Sequence, residues 1–133
     1  MGDSLFSDNA IRTAKLALDG LSQKQTVISN DIANVDTPGY RAQEIDFDSV
    51  MRRALQNSRS TQLVTTHPAH LGISNGKAIF RTQEKPGGTA RADENNVDID
   101  QELLDMSETG IQYQAISQEL SKKLSLLKTI ASR

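Results

Sequence analysis

Ile28–Tyr40 reads ISNDIANVDTPGY, and the point where this stretch changes character decides the fold. Its first half keeps apolar residues at helical spacing, and its second half is a run of small polar residues around Pro38 and Gly39. Pro38 cannot continue a helix and pushes Thr37 away from helical angles. Thr37-Pro38-Gly39-Tyr40 fits a type II turn, with Pro pre-set at the second position and Gly taking the positive φ of the third. Asn34 and Asp36 have side chains short enough to bond the orphan backbone groups at the helix end. Ala33 permits close approach of another backbone. Two readings stand side by side: an ordinary helix stop, or a tight corner whose polar groups meet a neighbouring chain.

Working upstream, the region from about Ser4 to Val35 reads as one helix. Ile11, Ala14, Leu18, Leu21, Gln25, Ile28 and Ile32 recur at alternating steps of three and four, the seam that suits a partner helix. Gly20 interrupts it at a cost of about 1 kcal/mol against Ala. Downstream, Asp98 with Gln101 three residues later makes a capping-box-like start. A second seam then follows: Leu103, Met106, Gly110, Tyr113, Ser117, Leu120, Leu124, Leu127 and Ala131, widened by Ile116 and Ile130. A helix of this extent is roughly 50 Å long at ~1.5 Å per residue.

The fold expected is therefore mainly α: residues 1–36 and 98–133 as two long helices, packed as an antiparallel coiled-coil-like pair within one domain, 1–133. Between them, residues 37–97 read as loop-rich, with a short helix over Phe47–Gln56 and a small β-hairpin. The hairpin cue is Asn75-Gly76 followed by an extended run, Lys77 to Thr82. Seams this sparse cannot by themselves offset the ordering of two long helices. Neighbouring chains are expected to cover the remaining faces and complete the fold.

Composition narrows the function. Aromatics are 4% of the 133 residues and there is no Trp, so a thick globular core is not expected. Fifteen basic residues against seventeen acidic give a formal charge of −2, which makes no case for nucleic acid or an anionic membrane. With no Cys, thiol chemistry and Cys-ligated metals are excluded. The N-terminus lacks the basic and apolar regions of a secretory leader, and Met1-Gly2 fails the myristoylation pattern at Phe6. His67 and His70 lack a nearby third metal ligand. Asp46/Asp48 and Asp98/Asp100 are explained by helix capping as well as by acid–base work. Gly87-Gly88 lacks the Lys-Ser/Thr of a phosphate loop. No catalytic machinery, cofactor or small-molecule substrate is expected.

Asp31-Ile32-Ala33-Asn34-Val35-Asp36-Thr37-Pro38-Gly39-Tyr40-Arg41 resembles the signature of the bacterial flagellar rod and hook family, and the two ends of the chain resemble a proximal rod subunit of that family. The likeness is strong in both terminal helices and weak over residues 57–91. Two positions depart from the family pattern: Asp31 stands where an Asn is usual, and Glu94 where a Gly is usual. The resemblance implies a structural subunit of the basal-body rod in the periplasm, polymerising through its terminal helices around a central channel and transmitting torque. It implies contacts with further copies and with the rod proteins FliE, FlgC and FlgF, near the MS ring, and passage through the flagellar type III export gate. Phe47 to Met51, FDSVM, fits the short pattern that such a gate would read, and equally one face of a short helix. The sister proximal rod protein FlgC, and a free two-helix adaptor or secretion chaperone, fit the same residues.

Overall fold

The computed structural model describes residues 8–57, 80–87 and 89–132. The elements run α1 (Asp8–Ala33), β1 (Gln43–Ile45), α2 (Phe47–Asn57), β2 (Thr82–Glu84) and α3 (Ile99–Ala131). Both long helices are where the three-four spacing puts them, and α2 matches the expected short helix to within a residue. His67, His70 and Asn75-Gly76 lie outside the described residues.

Each helix begins or ends for a local reason. Asp98 is extended at φ −101° and its Oδ1 accepts from the amides of Asp100 (3.1 Å) and Gln101 (3.2 Å), satisfying two orphan donors of α3. Only half of the expected capping box forms, because the Gln101 side chain donates forward to Asp105 at 2.9 Å. Asp46 caps α2 through the Ser49 amide and hydroxyl, and these two bonds hold its carboxyl below the usual range.

The long helices run antiparallel. The buried Asp31, near the end of α1, lies in the electrostatic reach of Glu102 near the start of α3, while Gln25 approaches Gly110 further along. The interface between them differs from a regular apolar seam. On α1 the deeply buried side is Ala17, Leu21, Val27, Ile28 and Asp31, turned slightly from the predicted line because α1 also carries β1 and α2 on its flank. On α3 the fully buried positions are Glu102 and Thr109, both polar. Met106, Leu120 and Leu127 of the predicted seam are half-buried, whereas Leu103 is 51% exposed, Leu124 49% and Tyr113 37%.

The apolar centre sits beside the helix pair. Val27 of α1 meets Ile45, Val50 and Phe80, with Leu16, Phe47 and Met51 packed around them. The rings of Phe47 and Phe80 stack at 5.9 Å between centroids and 12° between planes, a favourable aromatic contact. Phe80 also lies directly on Gly20: a Cβ built there would collide with the Phe80 ring. The glycine that weakens the helix pattern is the site where an aromatic crosses it.

The strand pair is antiparallel, as a hairpin would be, but it is not a local hairpin. β1 pairs with β2 in the register Gln43↔Glu84, Glu44↔Gln83, Ile45↔Thr82. The second strand begins at Thr82, where the expected extended run ends, because its hydrogen-bonding partner lies in the segment after the Pro-Gly corner. Lys85 N–H extends the ladder to the Ala42 carbonyl at 2.8 Å.

Candidate functional site

The Pro-Gly corner forms as its chemistry predicts. Gly39 has φ +72° and the Tyr40 amide donates to the Thr37 carbonyl at 3.2 Å, closing the turn. Asn34 Nδ2 donates back to the Asn30 carbonyl at 2.8 Å, and Thr37 Oγ1 donates to Asn34 Oδ1 at 3.1 Å. The motif then divides by direction. Asp31, Ile32, Asn34 and Tyr40 are turned at least partly inward, whereas Ala33, Asp36, Thr37, Pro38 and Gly39 form an exposed tip. Much of its polarity is thus spent on the chain's own backbone.

Asp31 is fully buried on the inner side. Its two oxygens accept separately, Oδ1 from the Tyr40 hydroxyl at 2.8 Å and Oδ2 from the Gln43 amide at 2.9 Å. Two donors facing one side chain suit an acceptor-only carboxylate. Burial, and then the bond and charge of Asp31, push the Tyr40 phenol up to about 12. This arrangement ties the end of α1 to the start of β1.

Sequence reasoning missed the other half of this joint. Asn95, fully buried, points Nδ2 at three carbonyls, those of Asn34 (2.9 Å), Val35 (3.1 Å) and Thr37 (2.8 Å), while its Oδ1 accepts from the Val97 amide at 2.8 Å. Arg91 donates to the carbonyls of Val35 and Val97. Asn96 Oδ1 accepts from the Ala42 amide at 2.7 Å, and the Gly39 amide donates to the Asp93 carbonyl at 2.8 Å. The residues just before α3 thereby satisfy the loose backbone groups just after α1. Glu94 takes the left-handed φ of +65° despite being a non-glycine residue, so the turn survives the substitution noted in its sequence. The available signal was the pair Asn95-Asn96 directly ahead of the Asp98 cap, amides placed where backbone needs partners.

A charged cluster braces the same end of the helix pair. Lys85 Nζ sits 3.0 Å from Glu102 Oε1 and 2.9 Å from Asp105 Oδ2. Burial works against the Lys85 charge, but the bonds to Asp105 and Glu102 outweigh it and raise its pKa. Burial dominates at Glu102 and raises its pKa against the pull of Lys85. At Asp105 burial is outweighed by hydrogen bonds from Lys85 and Gln101, and its pKa is lowered. Lys85 thus bridges both carboxylates at nearly equal distances. Among the described residues, no three His, Cys, Asp or Glu side chains are grouped to hold a metal ion.

Phe47 and Met51 lie on α2, half-buried against the apolar centre. The remaining feature is the outer face of α3, where Leu104 is 60% exposed, Ile111 69%, Leu126 61% and Ile130 56%. Isolated apolar residues on a surface are ordinary; a succession along one long helix is a surface shaped for contact.

Residues 11–41, the α1 helix with its corner, match the family of flagella basal body rod proteins. Over 127 residues the chain is 32% identical to the flagellar basal body rod protein FlgB of Bacillus subtilis, spanning 96% of this chain and 95% of that protein. It is 33% identical over 126 residues to FlgB of Escherichia coli, spanning 88% of each. The FlgB of Borrelia hermsii is 31% identical over 102 residues, 72% of this chain and 76% of that protein. With its corner inside the region matched by the family and 32% identity to a FlgB over 96% of its length, the chain belongs to the FlgB family of flagellar basal body rod proteins.

Proposed function

We propose that the chain is a non-catalytic structural subunit of the proximal flagellar rod, located in the basal body and built into it through its two long helices. The observation that carries this reading is the outer face of α3: Leu104, Ile111, Leu126 and Ile130 stand open on a helix whose fully buried positions, Glu102 and Thr109, are polar. A helix with so little of its apolar surface covered by its own chain is completed by neighbours. In this reading the packed helices surround a central channel and carry torque. The adjoining chains are further copies and the rod proteins FliE, FlgC and FlgF, with the MS ring nearby.

Export through the flagellar type III gate belongs to the same proposal, with Phe47 and Met51 as the residues read. In the folded molecule both are packed against the apolar centre, so the gate would read them before α2 docks. Phe47→Ala is expected to lower secretion into the medium more than it lowers cellular abundance; equal loss of both would mean the residue only supports folding.

The assembly role is tested with Leu104→Asp and Ile111→Asp. Both side chains are largely solvated in the single chain, so the thermal midpoint of the purified protein should move by no more than about 0.5 kcal/mol in equivalent stability. Swimming should be lost, because a carboxylate would then be buried without a partner in the assembled rod. Normal swimming by both variants would refute the assembly reading.

A further inference from the structure

Beside the helix pair, an open groove of about 430 Å³ separates α3 from the start of α2. Leu21, Phe47 and Ile116 give it an apolar floor, and Glu44, Asp48 and Glu108 stand along its lining. Lys24 is the one cation among the lining residues, so the groove is net negative. An occupant that fits must bring apolar side chains flanked by positive charge.

The chain itself carries such a surface at the other end of α3. Lys122 and the half-buried Lys123 share one side of the helix there with Leu126, which is 61% exposed, and Ile130, which is 56% exposed. The contact of Lys122 with Glu119 joins side chains that are 69% and 76% exposed, and so solvated a pair does little to occupy the ammonium. This end cannot fold back into the groove of its own molecule. Glu108 and Lys123 stand on one uninterrupted helix, roughly 22 Å apart at ~1.5 Å per residue.

We propose that the acidic groove receives the basic, apolar C-terminal end of α3 from a second copy of this chain. The contact is head-to-tail, with two different patches meeting, so it passes from copy to copy as a ring or an open helix. It rests on the rod-subunit reading above and assigns one specific interface within it.

The chain has no Cys, so disulfide trapping has no background from its own residues. Glu108→Cys combined with Lys123→Cys, expressed in the flagellated bacterium and oxidised, should give a ladder at multiples of the chain's own mass, while either single cysteine goes no further than a dimer. Separately, Glu44→Lys with Glu108→Lys should cut the number of flagella per cell about tenfold or more through like-charge contact, as should Lys122→Glu with Lys123→Glu; the two changes combined should restore it. Circular dichroism melting of each variant checks that the fold is kept, and where a variant misfolds the cysteine ladder decides. Monomer alone in swimming cells, cross-links to a chain of different mass, or charge reversals without mutual rescue would overturn the proposal. If Leu104→Asp stops swimming while the charge reversals do not, the groove assignment fails and the rod reading stands. If Leu104→Asp also leaves swimming intact, both fail.

Discussion

Asp31 shows how much one buried side chain can organise. Its oxygens hold the Tyr40 hydroxyl and the Gln43 amide, and an Asn there could keep both only by turning the hydroxyl into an acceptor. Asp31→Asn is accordingly expected to cost about 1 kcal/mol, and Asp31→Ala about 1–3 kcal/mol, because the alanine removes the acceptor of two part-buried bonds. Thermal or denaturant unfolding reads the difference, and a costlier Asn than Ala would refute this account. Asn95 is the more demanding position. Asn95→Asp would turn an oxygen toward three carbonyls that now receive N–H groups, so it should destabilise more than Asn95→Ala, itself expected to cost about 3 kcal/mol. Glu94 points the other way: at φ +65°, Glu94→Gly relieves a left-handed residue and should raise stability by up to about 1 kcal/mol. An unfolding midpoint lowered by that substitution would show that the Glu94 side chain contributes something its backbone does not.

At the level of elements, the crossing of Phe80 over α1 is the decisive contact. A methyl group on Gly20 would collide with the Phe80 ring, and that ring also stacks on Phe47 of α2. Gly20→Ala, which raises helix propensity, is therefore expected to destabilise by about 1–3 kcal/mol through overpacking. Phe80→Ala alone should cost about 3–5 kcal/mol by opening a cavity. With Phe80→Ala in place, Gly20→Ala should become neutral or mildly favourable. Additive losses in the double variant would mean that the two sites are not in contact.

Across the whole molecule, the titrating groups give stability a direction in pH. Lys85 and Tyr40 both have raised values in the fold, Tyr40 from the usual 10.0 to about 12. A group with a raised folded pKa binds its proton more tightly when folded, so its contribution is complete below the unfolded pKa and is lost as pH rises through the folded one. Both losses begin above about pH 10 and act together. On the acid side Asp105, lowered, loses stability as pH falls through its folded value, while Glu102, raised, gains as it takes up a proton; the two oppose each other. The midpoint of urea unfolding should thus fall steadily between about pH 10 and pH 12. Tyr40→Phe should flatten part of that fall. In a Tyr113→Phe background, phenolate absorbance should titrate near the upper end of that range, and a midpoint near 10 would remove Asp31 and burial as influences on Tyr40.

The sequence alone determined the three helices and the corner, because those depend on local chemistry. Three-four spacing marks a helix wherever it occurs, Asp46 and Asp98 cap within a turn of themselves, and Pro38-Gly39 can make few shapes. The resemblance carried by residues 31–41 likewise named the family from a contiguous stretch. What only the tertiary structure decided were the pairings of residues distant in sequence: Asn95 with the carbonyls after α1, Lys85 with Glu102 and Asp105, Phe80 with Gly20, and β1 with β2. It also decided which part of each apolar stripe faces inward, leaving Leu103 and Leu124 of the predicted α3 seam largely exposed. A periodic stripe records that a helix has a sticky side, but the same spacing serves an internal partner and an external one. The distinction appears only when every other element competing for that side is in place.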